Sequence, residues 1–74
     1  MSQIYAEINT KRKIMREVYG GMMTAEDLHK ELGMKPNDAR ELMMGLGLGI
    51  RIGNRVKFET DMVAKFIVEQ RGFA

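Results

Sequence analysis

Glycine punctuates this chain so closely that few stretches are longer than a single helix or hairpin. Gly20-Gly21, Gly33, the run Gly45-Leu46-Gly47-Leu48-Gly49, Gly53 and Gly72 mark boundaries, and the one proline, Pro36, adds another. Glycine supplies the backbone freedom that ends helices and turns hairpins, and it weakens the interior of either. The fold is therefore expected to be an assembly of short elements. At 74 residues it is one domain at most, burying only about 60% of its unfolded surface. There is no cysteine and only one histidine, so neither a disulfide nor a structural zinc site supplements the core.

Between the glycines the apolar spacing changes from segment to segment. Ile4, Ile8, Met15 and Val18 recur near a 3.6-residue period and predict an amphipathic helix over about 3–19. Asn9 or Thr10 offers a cap for a shorter helix, which would leave 3–8 extended. Thr24 is an N-cap with Asp27 at the third helical position, and Met23 can staple onto Leu28. This helix spans 24–32, with Ala25, Leu28 and Leu32 inward and Gly33 as its stop. Pro36 opens a helix over 36–45. Its inward residues are Ala39, Leu42, Met43 and Leu46, and its outward face is Asn37, Arg40, Glu41 and Met44.

Residues 48–58 switch to a period of two, which predicts a β-hairpin around Gly53-Asn54. A two-residue loop pairs Ile52 with Arg55 and mixes apolar with charged residues. A three-residue loop pairs Ile52 with Val56 and Ile50 with Phe58, keeping one face apolar, and burial favours this second register. Arg51 and Lys57 then share the solvent face, with Asn54 and Arg55 at the tip. A last helix begins at the cap Thr60, with Asp61 in its first turn and Met62, Val63, Phe66 and Ile67 inward. Asp61–Lys65 and Lys65–Glu69 are spaced as i,i+4 ion pairs.

Composition narrows the function. The chain is 45% hydrophobic and 30% charged, a globular balance. Its only serine is Ser2, so thiol, Ser–His and two-His metal chemistry are not expected, and neither a cofactor nor an enzyme is. No apolar run has the length of a membrane span, and Met1 to Lys13 lacks a signal-peptide core. The formal net charge is +2, unevenly spread. Residues 1–20, with Lys11, Arg12, Lys13 and Arg16, carry +2; residues 21–45 carry −2; residues 46–74 carry +2. A polyanion would be drawn to the two ends of the chain. Gly45-x-Gly47-x-Gly49 precedes a strand rather than a helix and does not suit a phosphate loop. His29 reads as a surface residue, the eight methionines as filling for an adaptable core, and Phe73 as a candidate protein contact.

Two helices joined by a short turn, then a hairpin, then a helix, make a winged helix-turn-helix. From Thr24 to Gln70 the chain resembles the excisionase family of small DNA-binding domains, relatives of the MerR-type regulators. The resemblance lies in TAEDLHKELGMKPNDARELM, in IRIGNRVKF and in the closing helix led by Thr60 and Asp61. Lys35 stands where the family has a capping Ser, Asp38 and Glu41 where it often has Thr and Arg, and Gly47-Leu48-Gly49 where it has Gly-x-x-Pro. Similarity to this family implies a recombination directionality factor or a small phage or mobile-element transcription regulator. Such proteins bind cooperatively beside neighbours on DNA, with an integrase as a possible protein partner.

The expected fold is α+β, mainly α: a single domain over 1–74, with a helical extension at 1–20 and the winged helix-turn-helix at 22–71. Its expected partner is double-stranded DNA. Lys35, Asn37, Arg40, Glu41 and Met44 are the contact residues on the second helix of the motif, and Arg51, Asn54, Arg55 and Lys57 those on the wing. Asn suits adenine, Arg guanine, Glu cytosine and Met the thymine methyl. A solvated helix face and a charged hairpin tip that blocks edge pairing are the plainer readings of the same residues. A protein-interaction or dimerisation module and a packaging protein like a terminase small subunit are the alternatives. The expected compartment is the cytoplasm, on the nucleoid in a bacterial or phage setting.

Overall fold

Short elements do follow the glycine boundaries. The structure, a computed structural model, describes residues 2–72. In chain order it contains α1 (Ser2–Tyr19), β1 (Met22–Met23), α2 (Ala25–Leu32), α3 (Pro36–Gly45), β2 (Gly49–Ile52), β3 (Arg55–Glu59) and α4 (Thr60–Gly72). The fold is α+β and mainly helical, with one three-stranded antiparallel sheet of order β1-β3-β2. No described helix is long and apolar enough to cross a membrane.

α1 is one uninterrupted helix. Thr10 does not cap a shorter one; its hydroxyl donates to the Ala6 carbonyl inside the helix at 2.9 Å. Gly20 ends it at φ 82, with its amide donating to the Arg16 carbonyl at 2.8 Å. β1, absent from the sequence reading, is only two residues long, too short to show a period. Met23 pairs with Phe58 and Met22 with Glu59.

Every element except β2 places a residue in one buried cluster. Met15 comes from α1, Met23 from β1, Leu28 from α2, Ala39 and Met43 from α3, Phe58 from β3, and Val63 and Ala64 from α4. Three of these are methionines, whose unbranched chains fill irregular gaps between short elements. α1 packs chiefly along α4. Thr60 clamps the turn between α1 and β1. Its hydroxyl donates to the Gly20 carbonyl at 2.7 Å and its amide to the Gly21 carbonyl at 3.1 Å, so the residue is fully buried and does not serve as the expected cap.

Several inward assignments shift. On α1 the buried face runs through Met15 with Tyr19 half-buried one turn later, which leaves Val18 67% exposed. On α3 only Ala39 and Met43 are buried, and Leu42 and Leu46 stand exposed beside that narrow stripe. On α4 the buried set is Val63, Ala64 and Val68, so Met62 turns outward. Asp61 pairs across to Arg16 of α1 at 2.9 Å rather than along the helix to Lys65. This contact lacks hydrogen-bond geometry and is an ion pair only.

Candidate nucleic-acid interface

The α2–turn–α3 unit is fixed at each end by local chemistry. The Thr24 amide donates to Asp27 Oδ2 at 3.0 Å, and the Asp27 amide donates to Thr24 Oγ1 at 3.2 Å. This is the reciprocal capping box the sequence predicts, with Asp in place of the usual Glu or Gln. Gly33 ends α2 at φ 72, its amide donating to the His29 carbonyl at 2.9 Å. His29 is exposed, and its Nδ1 lies 2.6 Å from the Met34 carbonyl oxygen, tying the turn back to α2. Pro36 then opens α3, and Lys35 before it takes the N-cap position without a side-chain cap bond.

Among the described residues, Lys35, Asn37, Arg40 and Glu41 are exposed and make no side-chain hydrogen bond or ion pair. The negative charge of Asp38 and Glu41 therefore stands uncompensated beside Arg40. Met44 corrects one expectation. It is 42% exposed, yet its sulfur lies over Gly49, in the space that a Cβ there would occupy. The outward side chain assigned to a thymine methyl thus folds back against the hairpin and joins the end of α3 to β2.

The hairpin adopts the register the sequence reading rejected. Ile52 pairs with Arg55, Arg51 with Val56, Ile50 with Lys57 and Gly49 with Phe58. Turn chemistry decides this. Gly53 takes φ 64 while Asn54 keeps a negative φ, as in a two-residue type II′ loop with glycine first. Burial does not oppose it, because only Phe58 of the hairpin is fully buried and β2 is an edge strand.

This register redistributes the charge. Gly49, Arg51, Val56 and Phe58 share one face of the hairpin, and Ile50, Ile52, Arg55 and Lys57 share the other. Arg51 and Lys57, expected on one face, lie on opposite faces. Arg51 lies on the face where Met44 seats α3, which brings it to the α3 side. Gly53 and Asn54 form the tip, and Arg55 is the first residue of β3. Arg51, Asn54 and Arg55 are exposed, and Lys57 is half-buried.

The basic residues of α1 are differently placed. Lys11 Nζ donates to Glu31 Oε2 at 2.7 Å, and Arg16 is engaged by Asp61. Tyr19 donates to Glu31 Oε1 at 3.0 Å. Desolvation first, then the hydrogen bond to Glu31 and the charges of Glu31 and Asp27, raise the Tyr19 phenol above its ordinary pKa. Lys11 and Tyr19 thus fasten α1 to α2 through Glu31, and Arg16 fastens it to α4 through Asp61. Phe73 lies outside the described residues.

No three His, Cys, Asp or Glu side chains converge on a metal position among the described residues. A groove along α1 from Gln3 to Ile14, reaching Val68, has Glu7 and the already paired Lys11 as its charged lining. Comparison of the chain with models of known families, with curated proteins and with solved structures finds no match.

Proposed function

We propose that the chain is a winged helix-turn-helix that binds double-stranded DNA and catalyses no reaction, with α3 as recognition helix and the β2–β3 hairpin as wing. One observation carries the reading. Among the described residues, five cations without an internal partner, Lys35, Arg40, Arg51, Arg55 and Lys57, lie on the α3 N-cap, α3 and the hairpin, while Arg12, Lys13, Lys30 and Lys65 are scattered over α1, α2 and α4. No acid lies between residues 50 and 58. Cations that neutralise DNA phosphates release counterions on binding. Asn37 and Arg40 supply base-reading groups on the same helix. The resemblance to excisionases supports a role as a cytoplasmic phage or mobile-element regulator or recombination directionality factor. It would need no cofactor and would act beside DNA-bound neighbours or an integrase. A packaging role like that of a terminase small subunit uses the same chemistry.

The unpartnered Asp38 and Glu41 favour a second reading, in which α3 docks on a basic protein surface. Fluorescence anisotropy with labelled duplexes at several salt concentrations separates the two. DNA binding through four phosphates gives a log–log salt slope of about −3.6. If no duplex binds, or if binding is indifferent to salt, the DNA reading fails and the protein-docking one replaces it.

A further inference from the structure

Besides Val18, three apolar residues that helical spacing places inside the molecule lie outside it: Leu42, Leu46 and Met62. Leu46 is 48% exposed and Met62 39%. Together with Leu48 and Phe66, which pack against the core from the other side, Leu46 and Met62 line a groove between the α3–β2 loop and α4. Its volume is about 160 Å³, below the roughly 300 Å³ at which small-molecule sites begin. A protruding side chain fits it better than a ligand does.

The rest of the lining identifies the occupant. Lys65, exposed, and Glu69, half-buried, are the groove's two charged residues, one helical turn apart on α4. Neither is in an ion pair among the described residues. A surface with an apolar centre and one charge of each sign along a helix is complementary to itself when a second helix lies across it in reverse. A two-fold axis near residue 67 sets Lys65 of each copy opposite Glu69 of the other and closes both ion pairs at once, as an isologous contact requires. A second copy of this chain supplies both complementary charges by symmetry.

We infer that the Leu46–Met62–Phe66 groove of α4 is a homodimer interface, with Lys65 and Glu69 pairing reciprocally across a two-fold axis. The inference stands apart from DNA binding, because it uses neither the outward face of α3 nor the hairpin cations.

Sedimentation equilibrium of the full chain from about 10 µM to about 1 mM covers the range of a small, transient interface. The mass should rise from one chain of 8.5 kDa toward two. Lys65→Glu and Glu69→Lys should each weaken association by about tenfold through like-charge opposition. The combined variant should return it to within about threefold of the parent. Met62→Asp should leave a monomer at every concentration, with circular dichroism confirming that each variant keeps its helices. A parent chain that stays at one-chain mass throughout overturns the inference. So does a dimer indifferent to either reversal, or a double reversal that fails to restore association.

Discussion

Glu31 accepts from two residues of α1 at once, Lys11 through one carboxylate oxygen and Tyr19 through the other. Glu31→Gln keeps the shape and removes the charge, and it should cost about 1–2 kcal/mol of stability by urea denaturation. Tyr19 sets an alkaline limit. Its folded pKa lies above the unfolded value of 10.0, so the stability it adds is complete below that value and lost as pH rises through the folded one. Tyr19→Phe should flatten this alkaline fall in the denaturation midpoint. The exposed arginines should separate by role. Arg40 is the one base on the outer face of α3, and Arg40→Ala should cost about 1–3 kcal/mol on a preferred site and relax discrimination at one base pair. Arg51→Ala and Arg55→Ala should weaken specific and random duplexes alike, each making the salt slope shallower by about one unit. Anisotropy with site and scrambled duplexes measures all three.

At the scale of the element, the join between α3 and β2 rests on the missing side chain of Gly49. A Cβ there meets the Met44 sulfur and lies 3.2 Å from Val56 Cγ1. Gly49→Ala should therefore cost about 1–2 kcal/mol by overpacking. In a Met44→Ala background that cost should shrink by at least about 0.5 kcal/mol, which a double-mutant cycle would detect. Gly53→Ala, at φ 64, should destabilise the hairpin by about 1–2 kcal/mol. What could be read in the sequence follows the range of the forces involved. The ends of α2 and α3 were legible because Thr24, Asp27, Gly33 and Pro36 act within a few residues of themselves. The hairpin register was not, because the apolar alternation of Ile50, Ile52, Val56 and Phe58 competes with a turn preference seated in Gly53 alone. The direction of Leu42, Leu46 and Met62 was equally hidden, since spacing marks an apolar stripe without saying which neighbour covers it. For the candidate site, the exposure of Lys35, Arg40, Arg51 and Arg55 was foreseen, while the partial burial of Lys57 and the division of the cations between two hairpin faces were not.

Taken as a whole, the molecule has one core to which α1, β1, α2, α3, β3 and α4 all contribute, so α1 should not melt separately. Met15→Ala should cost about 2–5 kcal/mol, and hydrogen exchange should show the middle of α1 opening with the rest of the domain rather than ahead of it. α1 reaches its main partner only across the full length of the fold, because that partner is α4. The clamp from Thr60 to Gly20 and Gly21 spans the same interval. On the ribosome this imposes a waiting time. α1 emerges with Met15 not yet covered by α4 and stays so until α4, about forty residues further along the chain, has cleared the exit tunnel. At about 5–20 residues per second, that is a few seconds in which an amphipathic segment is open to chaperones.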